Sequence, residues 1–211
     1  KYAQKLIDMN KAYVCTCDVE KKRNLIIKSL KCPCYNKYQT KRWKSMFNEY
    51  NEGEAVLRIK TDLNHPNPAI RDWAAFRIVD DHEHPIDSKK NIFGKVKKSK
   101  VWPLLNFASA IDDHLLKVTH ILRGIDLSTS DERQKYIYNY FKWDYPKTLY
   151  HGKLLFSGVK STSESKKLIE SGEISGWDDP SMGTIKSLRR RGFKSQTIIN
   201  FIKEIGINRR D

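Results

Sequence analysis

Several features are missing from this 211-residue sequence, and their absence excludes several classes of protein. No apolar run approaches the roughly 18–20 residues that a helix needs to cross a bilayer, so no membrane association is expected. The first ten residues carry no signal-peptide pattern, which predicts a cytoplasmic protein, and the missing initiator methionine predicts a longer parent chain. Internal repeats and low-complexity tracts are absent, and 39% hydrophobic residues are too many for a disordered chain.

Acidic residues are scarce relative to basic ones. Forty Lys and Arg residues stand against 25 Asp and Glu, a net charge of +15. The excess is +10 over residues 1–100, zero over 101–150 and +5 over 151–211. Because Trp, Tyr and Arg are interleaved with the lysines, the composition favours a nucleic-acid partner over a merely basic surface.

Cysteine is rare but clustered. The four cysteines form two C-x-C pairs separated by fourteen residues: Cys15, Cys17, Cys32 and Cys34. Four thiolates satisfy a closed tetrahedral zinc site, which would be structural because every position is filled. The alternatives are two disulfides or four inert thiols. The lack of secretory features disfavours disulfides, and inert cysteines rarely occur as paired clusters.

Hydrophobic spacing predicts the remaining elements. We expect a helix end followed by a strand in residues 1–14, and strands at 55–60, 74–79 and 118–122. A Lys-rich exposed loop or hairpin is expected over 82–100. The helices are predicted at 37–51, ending at Gly53, at 185–191 and 197–205, and after a capping box of Thr129 and Glu132.

The apolar run at residues 101–110 predicts a strand buried on both faces of a parallel sheet, with residues 118–122 as a possible neighbouring strand and polar side chains just beyond the run. Asp112 and Asp113 could hold a metal, orient a base or cap a helix, and their adjacency favours capping. His114 and His120 are expected to be ordinary hydrogen-bonding residues. Arg123 could grip a carboxylate or a phosphate.

Two basic segments complete the candidates. Residues 157–167 form a polar loop that could cradle a polyphosphate or be only a surface loop. Arg189, Arg190 and Arg191 lie on a predicted short helix and suit a phosphate backbone, the alternative being an ordinary solvated face.

Taken in order, these segments closely resemble the archaeal-type glutamyl-tRNA synthetases of the glutamyl/glutaminyl class I aminoacyl-tRNA synthetase family. Six motifs carry the resemblance over nearly the whole chain: AYVCTC at 12–17, GEAVLR at 53–58, RDW at 71–73, VWP at 101–103, DDHL with TH and RG between 112 and 124, and GWDDP with LRRRG between 176 and 192.

The resemblance implies an α/β fold: the second half of a class I Rossmann catalytic domain, a zinc-containing α+β acceptor-stem-binding insertion and C-terminal helices. Residues 1–10 would end the first Rossmann half, 11–98 form the insertion, 99–150 the second half, and 151–211 the KMSKS-like loop and stem-contact helices. The implied reaction uses ATP with Mg²⁺ to form glutamyl-adenylate, then transfers the glutamyl group to the 3′ end of tRNA.

By resemblance, Arg123 would pair with the substrate carboxylate, Ser109 and Leu105 would line the amino-acid pocket and Asp112 would support it. Leu105 stands where the family usually has a Tyr. The KMSKS-like loop would comprise the catalytic-loop residues Lys160, Ser161, Thr162, Ser163 and Lys166, although the motif's second lysine falls on Thr162. The ATP-binding HIGH signature is missing, so we expect the isolated chain to be inactive.

Two other functions remain open from the sequence. One is glutaminyl-tRNA synthetase, which shares the architecture, and a glutamate enzyme could also charge glutamine-specific tRNA. The other is a non-enzymatic, zinc-stabilised tRNA-binding module. A buried parallel strand followed by Asp112, Asp113 and Arg123 would favour the enzyme.

Overall fold

The computed structural model describes residues 1–36, 38–80, 99–152 and 161–207. Within them, two short 3₁₀ helices at Pro68–Ile70 and Ile125–Leu127 accompany eight α-helices and six strands. In chain order these are α1 Tyr2–Asp8, β1 Ala12–Cys15, α2 Val19–Ile27, α3 Gln39–Asn48, β2 Val56–Ile59, β3 Ala74–Ile78, β4 Val101–Pro103, α4 Leu105–Leu115, β5 His120–Gly124, α5 Ser128–Phe141, β6 Lys147–His151, α6 Thr162–Glu170, α7 Ile185–Arg190 and α8 Ser195–Ile205.

A four-stranded antiparallel sheet organises the first half of the chain, in the order β1-β2-β3-β4. Val14 pairs with Leu57 and Leu57 pairs with Phe76. The register shifts between Leu57 and Arg58, a bulge that bends β2 locally. This sheet brings the cysteines at the end of β1 close to the start of β2.

Helices α1, α3 and α4 contact this sheet, and α5 packs on α4. Their apolar side chains form one core with those of the strands, because each amphipathic helix buries a single face. The largest contributions come from Leu6, Trp43, Met46, Leu57, Ile59, Trp73, Phe107, Ile137 and Tyr138.

The chain divides into two compact units. The first holds Lys1–His120 and Leu127–Lys147, and the second holds Ile121–Asp126 and the described residues from Thr148 onward. The second unit contains the β5-β6 pair, apart from the first residue of each strand, and helices α6 to α8. No helix in the described part of the chain is long and apolar enough to span a membrane.

The predicted buried strand at 101–110 is wrong. Only Val101–Pro103 is extended, and it pairs antiparallel with β3 before α4 begins at Leu105. An apolar run cannot by itself distinguish a buried strand from a helix. The run becomes amphipathic after Pro103: Phe107, Ala110 and Ile111 are buried, whereas Leu105 is 71% exposed. Asp112 and Asp113 therefore lie in α4, not beyond a parallel strand.

Other local predictions fare unevenly. The α1-to-β1 sequence, the strands β2 and β3, and the helices α3, α7 and α8 are confirmed. The strand predicted at 118–122 exists as β5 from His120, but it pairs with β6 and not with the 101–110 segment. The capping box is wrong, because α5 begins at Ser128 without a side-chain cap. Gly53 does not end α3, which stops at Asn48; its φ of +85° serves a turn before β2 instead. Helix α2 was not predicted, and the loop at 82–100 lies outside the described residues except at its end.

Candidate metal centre and substrate-binding residues

The four cysteines converge on one point. Their sulfur atoms all lie within 4.8 Å of one another, and Cys15, Cys32 and Cys34 are buried. The Cys15–Cys32, Cys17–Cys32 and Cys17–Cys34 sulfur distances are 3.6, 3.7 and 3.9 Å. A disulfide would need about 2.05 Å, whereas tetrahedral zinc with bonds of about 2.3 Å needs sulfurs about 3.8 Å apart. The donor set fits a metal ion, and the four thiols are free.

Helix α3 holds both cysteine loops in place. The Gln39 side chain accepts a hydrogen bond from Val14 N at 2.7 Å and donates one to the Cys34 carbonyl at 2.5 Å. The Arg42 guanidinium donates to the Val14 carbonyl at 2.9 Å and to Thr16 Oγ1 at 2.5 Å. These bonds fix the backbones on which the thiols stand, and neither residue carried a sequence signal.

The thiols ionise unequally. A hydrogen bond with Cys32 lowers the pKa of Cys15. The same bond, together with burial, raises the pKa of Cys32 to about 12. Burial opposes ionisation of Cys34, but hydrogen bonds from the Thr16 backbone and Arg42 outweigh it and lower its pKa. Burial raises the pKa of Cys17. A divalent cation would displace the remaining protons, as metal binding to thiols requires.

A buried charged network lies beside the cluster. Asp72, fully buried with φ of +45°, accepts hydrogen bonds from Tyr13 at 2.8 Å and Tyr35 at 2.6 Å. Lys22, only 2% exposed, donates to the Tyr13 hydroxyl at 2.8 Å and lies 3.4 Å from the carboxylate. Thr61 N also donates to Asp72. Asp72 belongs to the RDW motif and Tyr13 to the AYVCTC motif, whereas Lys22 and Tyr35 carried no sequence signal.

Three predicted substrate residues share one face of α4. Leu105, Ser109 and Asp112 stand at spacings of four and three residues, which places them on the same side of a helix. Leu105 and Asp112 are exposed and Ser109 is half-buried. The opposite face carries the core residues Phe107 and Ala110. The structure therefore brings these three together on an accessible surface, on a helix rather than a strand.

Arg123 lies on β5 in the second unit, partly buried. Gly124 follows it, and a Cβ there would lie 2.5 Å from Asp126 Oδ1, so a larger residue at 124 would require the Asp126 side chain to move. The predicted RG pair thus combines a cation with a close approach of the backbone to an acidic side chain.

The predicted KMSKS-like loop is described only from residue 161 onward, so Lys160 lies outside the described residues. Ser161 is the N-cap of α6 and accepts a hydrogen bond from Glu164 N at 3.2 Å. Thr162 and Ser163 are exposed in the first turn, and Lys166 pairs with Glu170 at 3.7 Å.

The three arginines lie together at the end of α7, all exposed. Arg190 lies 3.5 Å from Asp178, and Arg191 stacks over Phe193 with 5.2 Å to the ring centroid. The preceding GWDDP turn is organised by Asp179, which accepts hydrogen bonds from Ser175 and Ser181, both at 2.7 Å. These bonds lower the pKa of Asp179 well below its usual range.

Comparison with known protein families gives a match over the whole chain. The family described as class I tRNA synthetases (E and Q), catalytic domain, matches residues 1–211. The chain belongs to this family. Its α/β catalytic-domain fold carries a cysteine cluster with the geometry of a metal site.

Curated relatives of the family match the whole chain. A glutamate–tRNA ligase of Thermococcus kodakarensis is 54% identical, and one of Pyrococcus horikoshii is 53% identical. The chain spans 36% of the length of each. Among solved structures, a glutamate-tRNA synthetase of Elizabethkingia anophelis matches with TM-score 0.51 and 16% identity, covering 94% of this chain and 43% of that one. This last match supports the fold.

Proposed function

We propose that this chain is part of a class I glutamate–tRNA ligase, which activates glutamate with ATP and Mg²⁺ and transfers it to the 3′ end of glutamate-specific tRNA. The observation that carries the proposal is the 54% and 53% identity, over the whole chain, to proteins named glutamate–tRNA ligase. Because tRNA charging serves translation, we infer a cytoplasmic protein. The proposal takes glutamate, rather than glutamine, as the amino acid.

The α4 face of Leu105, Ser109 and Asp112 is the proposed wall of the amino-acid pocket, and Arg123 is the proposed partner of the substrate carboxylate. A guanidinium binds a carboxylate through two parallel hydrogen bonds, which both orients the substrate and neutralises it. Leu105 offers the substrate an apolar contact in place of a hydroxyl. Catalysis in such a site rests on positioning and on charge stabilisation at the phosphates.

The exposed polar start of α6 is the proposed phosphate-contacting segment. Ser161, Thr162 and Ser163 supply hydroxyls and backbone N–H groups there, and Lys166 supplies a cation one turn later. Lys160 would add a second charge. ATP with Mg²⁺ supplies the activated phosphate, and these residues would orient and neutralise it.

The cysteine cluster is the proposed structural zinc site, because four thiolates at tetrahedral spacing leave no open position for chemistry. The surrounding residues 11–98 are the proposed acceptor-stem-binding insertion, with residues 99–150 as the second Rossmann half and 151–211 as the stem-contact region. The strongly basic first hundred residues and the exposed arginines of α7 support contacts with a phosphate backbone.

The test is amino-acid-dependent exchange of pyrophosphate into ATP, measured in the presence of tRNA with a full-length ligase containing this chain. We expect exchange with glutamate, and we expect Arg123→Ala to reduce it by about 10²-fold or more because the carboxylate loses its charged partner. tRNA affinity should stay within a factor of about two, since Arg123 is assigned to the amino acid.

Lys147→Ala is the matched control, because it removes an exposed cation from the neighbouring strand β6. Equal or better exchange with glutamine would contradict the glutamate assignment. Unchanged exchange in Arg123→Ala would remove Arg123 from the site.

A further inference from the structure

One face of α5 holds the loop that follows β2, residues 60–70, which we call the 60–70 loop. Near the C-terminal end of α5, Tyr140 donates a hydrogen bond to the Lys60 carbonyl. Two turns earlier in the helix, the Arg133 guanidinium donates twice to the Ala69 carbonyl, at 2.9 Å from Nε and 2.6 Å from Nη2. Both ends of the loop are therefore bound to one helix.

Two further contacts lie between these ends. His65 Nε2 lies 3.3 Å from a carboxylate oxygen of Glu132, and the Asp62 backbone N–H donates to the Tyr136 hydroxyl at 3.4 Å. The α5 residues that contact the loop are spaced three and four positions apart, so they are neighbours on one side of the helix. We call them the loop-binding face of α5: Glu132, Arg133, Tyr136 and Tyr140.

The 60–70 loop is internally cross-linked. Thr61 Oγ1 donates to the Ile70 carbonyl at 2.8 Å and accepts from Asp72 N at 2.7 Å, which joins the two ends of the loop. Arg71 donates to the His65 carbonyl at 2.7 Å. A compact loop closed in this way moves as one body. Through Asp72 it is also tied to the buried charged network beside the cysteine cluster.

Another face of α5 packs on α4. Ile137 and Tyr138 are buried in the same core as Phe107 and Ala110 of α4, and the Tyr138 ring meets the His114 ring edge-on, with 6.2 Å between the centroids. The exposed face of α4 carries the proposed wall of the amino-acid pocket. Helix α5 therefore connects that wall to the 60–70 loop, and all three belong to the first compact unit.

This arrangement matters for a reaction between two substrates that are held by different parts of the chain. In the proposed function, the insertion holds the tRNA acceptor end and α4 holds the glutamyl group. A displacement of about 1 Å between reacting groups can cost about 10²-fold in rate. A helix that fixes the insertion relative to α4 therefore controls the rate of the step that requires both substrates.

We propose that the loop-binding face of α5 positions the insertion relative to α4, and that Arg133 and Tyr140 are positioning residues for the transfer of the glutamyl group to tRNA. The proposal rests on the proposed function. In that step a hydroxyl of the terminal ribose attacks the carbonyl carbon of glutamyl-adenylate and forms the ester bond. The bond from that carbon to the phosphate oxygen breaks, and AMP leaves with the hydroxyl proton.

The test is single-turnover charging of glutamate-specific tRNA by the full-length ligase, with enzyme in excess and with saturating glutamate and ATP. We expect Arg133→Gln to lower the rate constant about tenfold and Tyr140→Phe about threefold, because the loop loses two hydrogen bonds in the first variant and one in the second. The Kd for tRNA and the KM for glutamate should stay within a factor of about two, since neither side chain is assigned to a substrate.

Arg133→Lys is the conservative variant, because an ammonium group can still donate to the Ala69 carbonyl. It should recover most of the rate constant that Arg133→Gln loses. A merely structural role would lower the thermal midpoint and the fraction of active enzyme, but it would leave the rate constant at saturation unchanged.

The matched controls remove the same chemical groups at exposed positions away from α5. Arg77→Gln removes a guanidinium from β3, and Tyr38→Phe removes the hydroxyl of a side chain that is 89% exposed. Rate constants in Arg133→Gln and Tyr140→Phe equal to those of the controls would overturn the proposal. A loss in Arg133→Gln that lies entirely in tRNA affinity would do the same, because it would make Arg133 an RNA contact.

Hydrogen exchange of the same full-length proteins gives a second measurement that does not depend on charging. Tyr140→Phe should speed amide exchange in the 60–70 loop and leave the β1-β2 pair unchanged; unchanged exchange in the loop would contradict its fixation by α5. If the wild-type ligase charges tRNA with glutamate and the variants match the controls, only the positioning role fails. If the wild-type ligase does not charge tRNA with glutamate, the proposed function fails and the positioning role fails with it.

Discussion

Cys15 has a position that makes it decisive for the cluster, because it is the last residue of β1 and is therefore held by the sheet. The other three thiols stand on loops that α3 and the metal would have to fix. A metal ion bound by all four thiolates would cross-link the two C-x-C segments and fix their side chains.

Cys15→Ser is therefore expected to reduce bound zinc from about one ion per chain to near zero. Thermal stability should fall to that of chelator-treated wild-type chain. Elemental analysis and thermal unfolding measure the two effects, and the sulfur-to-metal absorption of the Co²⁺-substituted chain reports the thiolates directly. Retained zinc in Cys15→Ser, or a wild-type chain indifferent to chelation, would argue against a structural zinc.

At the scale of the elements, the network around Asp72 links segments that are far apart in the chain. It joins β1 through Tyr13, α2 through Lys22 and the cysteine loop through Tyr35. The carboxylate has no contact with solvent, so each donor replaces a water that it would otherwise hold. Burial raises the pKa of Tyr13 and of Tyr35 far above the usual range, so both stay protonated and donate.

Asp72→Asn should lower the free energy of unfolding by about 3–5 kcal/mol, because Lys22 becomes a buried charge without its partner. Asparagine tolerates the positive φ, so the backbone is kept. Adding Lys22→Met should restore much of the loss. Urea unfolding of both variants, with the exposed Asp144→Asn as control, measures this; a loss below about 1 kcal/mol would mean that water enters the site.

The spacing of apolar residues correctly predicted elements that are set by local sequence. It failed where distant packing contacts decide between a strand and a helix. The stripe of Trp43 and Met46 identified α3, and Gly192 and Gly206 identified the ends of α7 and α8. The run at 101–110 was assigned to a strand because every residue in it is compatible with burial. Packing of Phe107 and Ala110 on β3 and α5 selects the helix, and this information lies far away in the chain.

For the whole molecule, charge is the dominant property. A net charge of +15 attracts any phosphate backbone, so affinity alone does not establish a tRNA site. The three exposed arginines of α7 concentrate part of this charge on one short helix. Specific contacts differ from the general attraction of the net positive charge, because the affinity they provide is retained as the salt concentration rises.

Replacing Arg189, Arg190 and Arg191 together with Gln should weaken tRNA binding and lower the slope of log affinity against log salt by about one per lost phosphate contact. A filter-binding series over salt measures this, with the exposed Lys117, Lys142 and Lys147 replaced by Gln as the charge-matched control. Equal slopes in the two triple variants would mean that the arginines contribute only to the net positive charge and make no specific phosphate contacts.

The sequence alone determined the family, the zinc-compatible cysteine set, the basic character and most helices and strands, because these follow from residue types and short spacings. Only the tertiary structure decided that Leu105, Ser109 and Asp112 share a helix face and that Lys22 meets Asp72. Such contacts join residues far apart in the chain, 50 positions in the case of Lys22 and Asp72. Their proximity depends on sheet register and helix packing, which no local pattern encodes.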